Sequence, residues 1–439
     1  MTKGFLVRLG AMVLAAAISA PGFSAAEKLI IISPHRKSIQ DEFVPGFKDY
    51  YKQTFGQDVE VEWLDQGGTS DDIRFLRSKF ASNPKSSGID IFWGGGAATF
   101  VELDNDKLLE PYQLSKDLAA QIPALAAGVP LIGAAHTWYA SAMSSFGIFY
   151  NRKVVALEKL PEPKSWEDIA DAKYIGQLSS TDPRHSGSSN SMMNIVLQSY
   201  GWDKGWDLLT RIAANTRQFT QSSSDPIKSV TSGDASAAMA IDFYALAKIG
   251  DLGRENLGFV LPQGQTILDP DPIAIIRGAT NRLQAERFVE YVLSANAQRL
   301  LILPKGSKGG PKLASLGRMA INPKAYDETE TQPVGDINPF KQKAFMQLDM
   351  QKASAMKRVL NDLVGAAHVD VHKELVAAWK NVVKKGSKPE SVKALTQPPI
   401  SETEALALAK KWDDPAFRND TINKWLTAAK ASYAKLAAE

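Results

Sequence analysis

Short apolar runs alternate with amphipathic stretches along the first three hundred residues. Leu29-Ile30-Ile31-Ile32 reads as a buried strand, as do Val59 to Leu64 and Ile89 to Trp93. Between the last two, Thr69 and Asp72 have the spacing of a capping box, and Ile73, Leu76 and Phe80 recur at helical spacing behind them. Strand, helix, strand, helix, strand predicts an α/β domain with a largely parallel sheet. From Ala140 to Asn151 the chain is extended, with Phe146, Ile148 and Tyr150 alternating, and is expected to cross into a second domain. That domain opens on Pro161-Glu162-Pro163 and a helix capped by Ser165, with Trp166 and Asp168 in its first turn. It includes the apolar run from Ala235 to Ile241.

Leu257 to Leu261 and Pro270 to Ile276 read as extended segments of a returning chain, and Ala285, Phe288, Val289, Val292 and Leu293 form one helical stripe. From about residue 335 the composition turns helical. Ser401 and Glu404 are placed to cap one helix, and Ile422, Trp425, Leu426, Ala429 and Leu436 stripe another, which needs a surface to bury against. The expected organisation is a first α/β domain of residues 27–139 and 262–334, a second of 140–261, and a helical C-terminal extension over 335–439. A chain that crosses and returns leaves a cleft between its domains. Ligand sites in α/β proteins favour such clefts and the ends of their strands.

The N-terminus changes the compartment. Lys3 and Arg8 precede an apolar stretch from Leu9 to Ile18, and small residues end in Ser24-Ala25-Ala26 before Glu27-Lys28. This is the layout of a cleavable signal peptide, residues 1–26, and the apolar stretch is about half of the roughly 20 residues a membrane-spanning helix needs. There is no cysteine, which excludes disulfides, thiolate metal sites, cysteine nucleophiles and a lipid-bearing cysteine anchor. The expectation is a soluble protein diffusing freely in a periplasm. Without Lys3 and Arg8 the chain carries 49 basic against 48 acidic residues, so nothing suggests a nucleic-acid partner.

Five segments together resemble one family. The strand ending in Ser33-Pro34-His35 and that ending in Phe92-Trp93-Gly94-Gly95-Gly96 resemble the first domain of periplasmic solute-binding proteins of the ferric-ion type. Pro163-Lys164-Ser165-Trp166-Glu167-Asp168 resembles the opening of their second domain, and Thr181-Asp182-Pro183-Arg184-His185-Ser186-Gly187-Ser188 a loop facing their cleft. Gly233-Asp234 with Ala237 to Tyr244 resembles the strand that carries their tyrosine ligands. Ala285 to Ser294, with Gln298, is similar to their late helix. The resemblance covers about residues 28 to 330 and implies a two-domain periplasmic binding fold of type II. It implies the ligand-capturing part of an ABC importer, partnered by a permease and its ATPase, without cofactor and as a monomer. The family includes binders of ferric ion and of phosphorylated or phosphonate-bearing organic anions.

Candidate ligand contacts follow from residue chemistry in those segments. His35, Arg36 and Lys37 sit where a strand gives way to a helix start, which favours an anion; solvation of the last two is the plainer reading. Trp93-Gly94-Gly95-Gly96 makes either a tight turn or a bare row of N–H groups. Arg184 offers a planar fork for phosphate or carboxylate beside His185, Ser186, Ser188 and Ser189. Asp242 and Tyr244 flank Phe243. Where ferric-ion members have two adjacent tyrosines, this chain has phenylalanine at the first position, which loses a hard oxygen ligand; iron would be left with His35 and Tyr244. Asp242, Asp225, Asp269 and Asp271, if they line the same region, would hold an ammonium group of a zwitterionic ligand; turn chemistry and solvated loops are the plainer reading, above all for Asp269 and Asp271. His368 and His372, with Asp370 between them, read as a solvated helix face, and His136 as a surface or hinge residue.

No nucleophile elbow, zinc-protease motif or phosphate loop is present, so the chain is read as a binder, not an enzyme. Its expected ligand is a small organic anion bearing phosphate, phosphonate or carboxylate, with ferric ion as the alternative. A sensor adaptor that presents its ligand to a membrane kinase is a reading of another class, and a secreted hydrolase a remoter one.

Overall fold

The structure, a computed structural model, describes residues 1, 26–327, 329–335, 337–341 and 345–439. Most of the signal-peptide segment therefore lies outside the described residues. The first half runs β1 (Glu27–Ile32), α1 (Lys37–Phe55), β2 (Val59–Leu64), α2 (Thr69–Ser82), β3 (Ile91–Trp93), α3 (Ala97–Asn105), β4 (Leu109–Glu110), α4 (Lys116–Ala119) and a hairpin of β5 (Leu125–Ala126) and β6 (Val129–Pro130). The long β7 (Tyr139–Asn151) leads into α5 (Arg152–Leu157), α6 (Trp166–Ala170), β8 (Leu178–Thr181), α7 (Gly187–Tyr200), α8 (Trp202–Asn215), β9 (Thr216–Thr220), α9 (Asp225–Ser232), β10 (Ala237–Ile241), α10 (Asp242–Leu252) and β11 (Leu257–Val260). The chain returns through β12 (Leu268–Ile276) to α11 (Arg282–Leu293) and α12 (Ala295–Ile302). It ends in α13 (Met350–Val364), α14 (His372–Lys384), α15 (Pro389–Thr396), α16 (Glu402–Ala409) and α17 (Pro415–Ala438).

Ten strands follow the order β2-β1-β3-β12-β7-β10-β8-β9, with β4 on β12 and β11 on β7. β1 is parallel to both β2 and β3. Its Leu29 and Ile31 pack in a core with α1 and α11, and Ile32 in another with α2 and α3, which is why its sequence is a continuous apolar run. β7 and β12 join the halves. Residues 139–145 of β7 pair antiparallel with β12, whereas 146–151 pair with β10 and β11. Pro270 and Pro272 lie inside β12, and the register shifts between Asp271 and Pro272. Proline cannot donate to a ladder, so a bulge is where such a strand accommodates it.

Local signals explain much of this. Ser165 and Asp168 form a reciprocal capping box at α6, and Ser401 and Glu404 another at α16. The stripe Ala285, Phe288, Val289, Val292 and Leu293 is fully buried. Thr69 and Asp72 do not cap α2, which has Gly68 as its N-cap. Asp72 instead is buried and accepts from the Gln66 N–H at 2.9 Å.

The helical tail begins later than its composition suggests, at Met350, because Pro333 and Pro339 interrupt the preceding stretch. Met356, Val359, Leu360 and Leu363 of α13 share a core with Trp166, Trp206 and Leu209. Trp379 and Val382 of α14 pack with Ala213 and Ala214 of α8. No helix among the described residues is long and apolar enough to cross a membrane.

Candidate functional site

The turn after β1, the interior of β12 and one loop bring charged side chains together. His35 and Arg36 occupy the turn from β1 into α1, with Arg36 as the N-cap residue. His35 is buried and its Nε2 donates to Asp271 Oδ2 at 2.7 Å. Asp271, on β12, also accepts from the guanidinium of Arg318, and its other oxygen accepts from the Gly96 N–H at 3.3 Å. Burial opposes the charge on Asp271, but Arg318 and His35 outweigh it and hold the carboxyl well below the usual range. His35 is driven the other way by burial, which lowers its pKa despite Asp271. A neutral imidazole that donates through Nε2 has an accepting Nδ1, and that atom is buried without a partner among the described residues.

The two arginines meet over one aromatic ring. The guanidinium carbon of Arg318 lies 4.1 Å from the Phe243 centroid, and that of Arg36 lies 5.5 Å from Phe243 and 4.9 Å from Tyr244. Arg36 also donates to the Leu316 carbonyl at 3.3 Å. Burial, and then the like charge of Arg318, bring Arg36 down to about 10. Nε of Arg36 and Nε of Arg318 are both buried without a partner among the described residues, and Arg318 is only 6% exposed. One guanidinium thus has a carboxylate partner and the other a backbone carbonyl, and each keeps a donor to spare for an anion.

The glycine run has a steric explanation. Gly94, Gly95 and Gly96 have φ of 94°, 99° and 81°, a region open to glycine at no steric cost. A Cβ on Gly94 would stand 2.6 Å from the His35 ring, and one on Gly95 2.6 Å from Thr69. The Gly94 N–H donates to the Pro272 carbonyl at 2.8 Å. Trp93 is a support rather than a cleft-facing side chain. It is buried, its indole N–H donates to Ser141 at 2.7 Å, and its ring meets that of His35 edge-on at 5.0 Å.

Asp242 opens α10 with its side chain buried. It accepts from the Phe243 N–H at 2.7 Å and the Ser145 N–H at 3.0 Å, yet burial still raises it to about 7. Tyr244, one residue beyond Phe243, is half-buried beside Arg36.

Several expectations need correcting. The fork of Arg184 is already engaged by two carboxylates, Asp182 at 2.7–3.0 Å and Asp370 of the C-terminal extension at 2.8–2.9 Å. It fastens the loop after β8 to the extension. His185 is exposed. Ser186 caps α7 through the Ser189 N–H at 3.0 Å and pairs with Ser223 at 2.7 Å. Ser188 is half-buried at the start of that helix. The structure brings none of these four into contact with the arginine pair. Lys37 points outward and pairs with Asp41, and Asp225 pairs with Lys228 on α9. Asp271 is buried rather than a solvated turn residue. His368 is also buried, against Trp206 at 4.7 Å and with Thr210 at 3.0 Å, so its helix face is not solvated. His136 is half-buried beside the Tyr139 hydroxyl at 3.0 Å. No group of three metal-ligating His or carboxylate residues occurs among the described residues.

Arg318 was missed. It interrupts the run Leu316-Gly317-Arg318-Met319-Ala320-Ile321, and a lone charge in an apolar run is the signal of a buried, partnered group.

Residues 87–307 match the family model for bacterial extracellular solute-binding proteins. The phosphoglycerate transport regulatory protein PgtC of Salmonella typhimurium is 26% identical over 325 residues, which cover 72% of this chain and 78% of that protein. Among solved structures, the periplasmic binding protein AfuA from Actinobacillus pleuropneumoniae, with exogenous fructose-6-phosphate bound, is similar at a TM-score of 0.59 and 20% identity. The match covers 82% of this chain and 99% of AfuA. Iron-bound HitA from Pseudomonas aeruginosa is similar at a TM-score of 0.57 and 16% identity, over 76% of this chain and 99% of HitA. At such identities the two structures establish a shared fold. With the family match spanning half of its length, the chain belongs to the bacterial extracellular solute-binding proteins, the periplasmic ligand-capturing components of ABC importers.

Proposed function

We propose that this protein captures a small organic anion bearing phosphate, phosphonate or carboxylate in the cleft between its halves and delivers it to an ABC permease and its ATPase. The supporting observation is the pair of guanidiniums of Arg36 and Arg318 over Phe243, each with a buried Nε that lacks a partner among the described residues. An anion bridging them would use those donors and offset the repulsion between them, and Tyr244 would add a hydroxyl donor. His35, through its accepting Nδ1, would read a hydroxyl on the same ligand. PgtC is named for phosphoglycerate transport and AfuA is seen with fructose-6-phosphate bound, both phosphorylated organic anions in keeping with this chemistry. Two fixed positive charges oppose a bare trivalent cation, and Phe243 supplies no oxygen to it.

On this reading the protein works as a monomer after cleavage behind Ala26, binding without turnover. The domains are 27–139 with 262–334, and 140–261, and they rotate about β7 and β12. Only the closed form would let Arg36 and Tyr244 hold the ligand together, so ligand shifts the population toward closure by its difference in affinity. The test is calorimetry of the mature protein with phosphoglycerate and fructose-6-phosphate, beside native mass spectrometry of protein taken from the periplasm. Binding of a phosphorylated anion with compaction in X-ray scattering is expected. A strong visible tyrosinate-to-iron band on adding ferric citrate, lost in Tyr244→Phe, would instead assign the site to iron.

A further inference from the structure

Building on the hinge closure in the reading above, we propose that the two halves turn on one line through Ser144 of β7, the Ile267-Leu268 peptide and the Phe345-Met346 peptide. Asp242 and Thr266 are then the positioning residues that hold the second-half edge of that line. Three described segments cross between the halves, and each changes core at the same level. On β7, Met143 shares a core with α1 and α11, and Phe146 one with Met192 and Ile195 of α7. On the returning chain the change falls between Ile267 and Leu268, and Leu268 stands opposite Ser145 in the ladder. Phe345 packs against the first of these cores and Met346 against the second.

The hydrogen bonds mark the same line. N–H groups two residues apart on a strand leave by the same edge. On one edge of β7 the Met143 N–H donates to the Met319 carbonyl at 2.9 Å, and Met319 belongs to the first core. The Ser145 N–H is held from the other half. β10 ends with Ile241 opposite Phe146, so the next acceptor is not a backbone carbonyl but the Asp242 carboxylate, at 3.0 Å. The Ser145 hydroxyl lies 3.3 Å from the same oxygen. Anchors from the two halves thus stand two residues apart, with Ser144 between them. Thr266 ties the other two segments to this edge: its hydroxyl donates to the Phe146 carbonyl, and its own carbonyl accepts from the Met346 N–H at 2.9 Å. Asp242 and Thr266 are 0% and 1% exposed, which shields these bonds from water. Anchors on both sides confine the twist to Ser144 and fix the axis on which Arg36 and Tyr244 come together. Without the second-half anchors the bend spreads along β7 and the open form gains conformations. The closed fraction then falls, and apparent affinity falls with it.

The experiment compares the wild type with Asp242→Ala, Asp242→Asn and Thr266→Val, and with Thr210→Val, whose buried hydroxyl bonds Trp206 and His368 away from the hinge. Each is melted, titrated with phosphoglycerate by calorimetry, and followed by hydrogen exchange of the Ser145 amide. Asp242→Ala should speed that exchange about tenfold or more and, like Thr266→Val, weaken phosphoglycerate roughly three- to tenfold through the smaller closed fraction. Asp242→Asn keeps an acceptor for the Ser145 N–H and should restore exchange and affinity to within about twofold of the wild type. Thr210→Val should lower stability and leave both readouts alone. Affinity that simply follows melting temperature across the four variants overturns the inference, because the residues then act on stability only. Affinity lost alike in Asp242→Ala and Asp242→Asn, with the Ser145 amide still protected in the latter, also overturns it and makes Asp242 a ligand contact. A wild type that binds no phosphoglycerate removes the anion reading alone, and X-ray scattering of the unliganded chains then decides. A wider spread of shapes in Asp242→Ala and Thr266→Val supports the hinge, and profiles identical to the wild type overturn it.

Discussion

The guanidinium of Arg318 stands over Phe243 with its central carbon 4.1 Å from the ring centroid, while the same arginine donates to Asp271. The ring therefore serves as a floor for a cation. A π face beneath a guanidinium stabilises it by about 0.5–2 kcal/mol, and Asp271 fixes which edge of the fork is used. What remains is the Nε edge, buried and unpartnered among the described residues.

Arg318→Lys keeps the charge and loses the fork. The ammonium can still reach Asp271 or the ligand but not both with paired geometry. Affinity for a phosphorylated anion is expected to fall roughly tenfold to a hundredfold, the equivalent of one hydrogen bond to a charged group at about 1.5–3 kcal/mol. Calorimetry with the wild type alongside reads this directly, and equal affinities would remove Arg318 from the site.

Arg184→Ala separates stability from binding. Both arms of this side chain are held by carboxylates, and Asp182, itself buried, would lose the guanidinium and keep the backbone N–H of residue 184 as its donor. Stability should drop by about 1–3 kcal/mol, the penalty for leaving a buried polar group unsatisfied, while ligand affinity stays within about twofold of the wild type. Urea melts and calorimetry on the same preparation test both halves. A large loss of affinity with unchanged stability would return Arg184 to the ligand.

The contrast between these arginines shows what a sequence carries. β1, the α11 stripe and the two capping boxes were legible because each depends on residues within about one turn or one strand. Arg184 looked free because its second partner, Asp370, is 186 residues away on the extension. The same distance problem hid the site itself. Asp271 lies 236 residues from His35 and 47 from Arg318, and only the crossing of β7 and β12 brings them together. The glycine run was legible as a turn, but the His35 ring that fills the space beside Gly94 was not.

His368 gives a pH signature. Burial, then His372, lowers it to about 3, against roughly 6.5 in an unfolded chain. Between those values the unfolded chain binds a proton that the folded protein does not, so stability falls as pH drops below about 6.5, by up to about 1.4 kcal/mol per pH unit. Asp72 and Asp242, raised to about 7 by burial, act in the opposite sense over part of that range, so the whole-protein slope mixes the two. Comparing wild type with His368→Gln cancels the carboxylates. The stability advantage of the wild type is expected to shrink from pH 7 to pH 5 in denaturant melts. A constant difference would mean that His368 takes up its proton alike in the folded and unfolded chains.

Removal of the extension tests whether it is an ornament or part of the core. α13 inserts Met356, Val359, Leu360 and Leu363 among Trp166, Trp206 and Leu209, Trp412 joins the same cluster, and α14 sets Trp379 against α8. Burying a large apolar side chain contributes about 1.5–3 kcal/mol. Half a dozen of them therefore amount to about 9–18 kcal/mol, comparable to the roughly 5–15 kcal/mol by which a whole domain is stable. The second half also keeps its own cluster around Phe149, Val230 and Leu246, which the α13–α17 helices do not enter. A chain ending at residue 348 should thus retain secondary structure but expose the tryptophan face of α8. It is expected to aggregate, or to bind a hydrophobic dye with a broadened melt. The first half, whose cores contain no residue of α13–α17, should keep its own hydrogen-exchange protection. A soluble truncated chain with a sharp wild-type-like melt would show that the second half closes its core without the extension, and that Arg184 needs Asp182 alone.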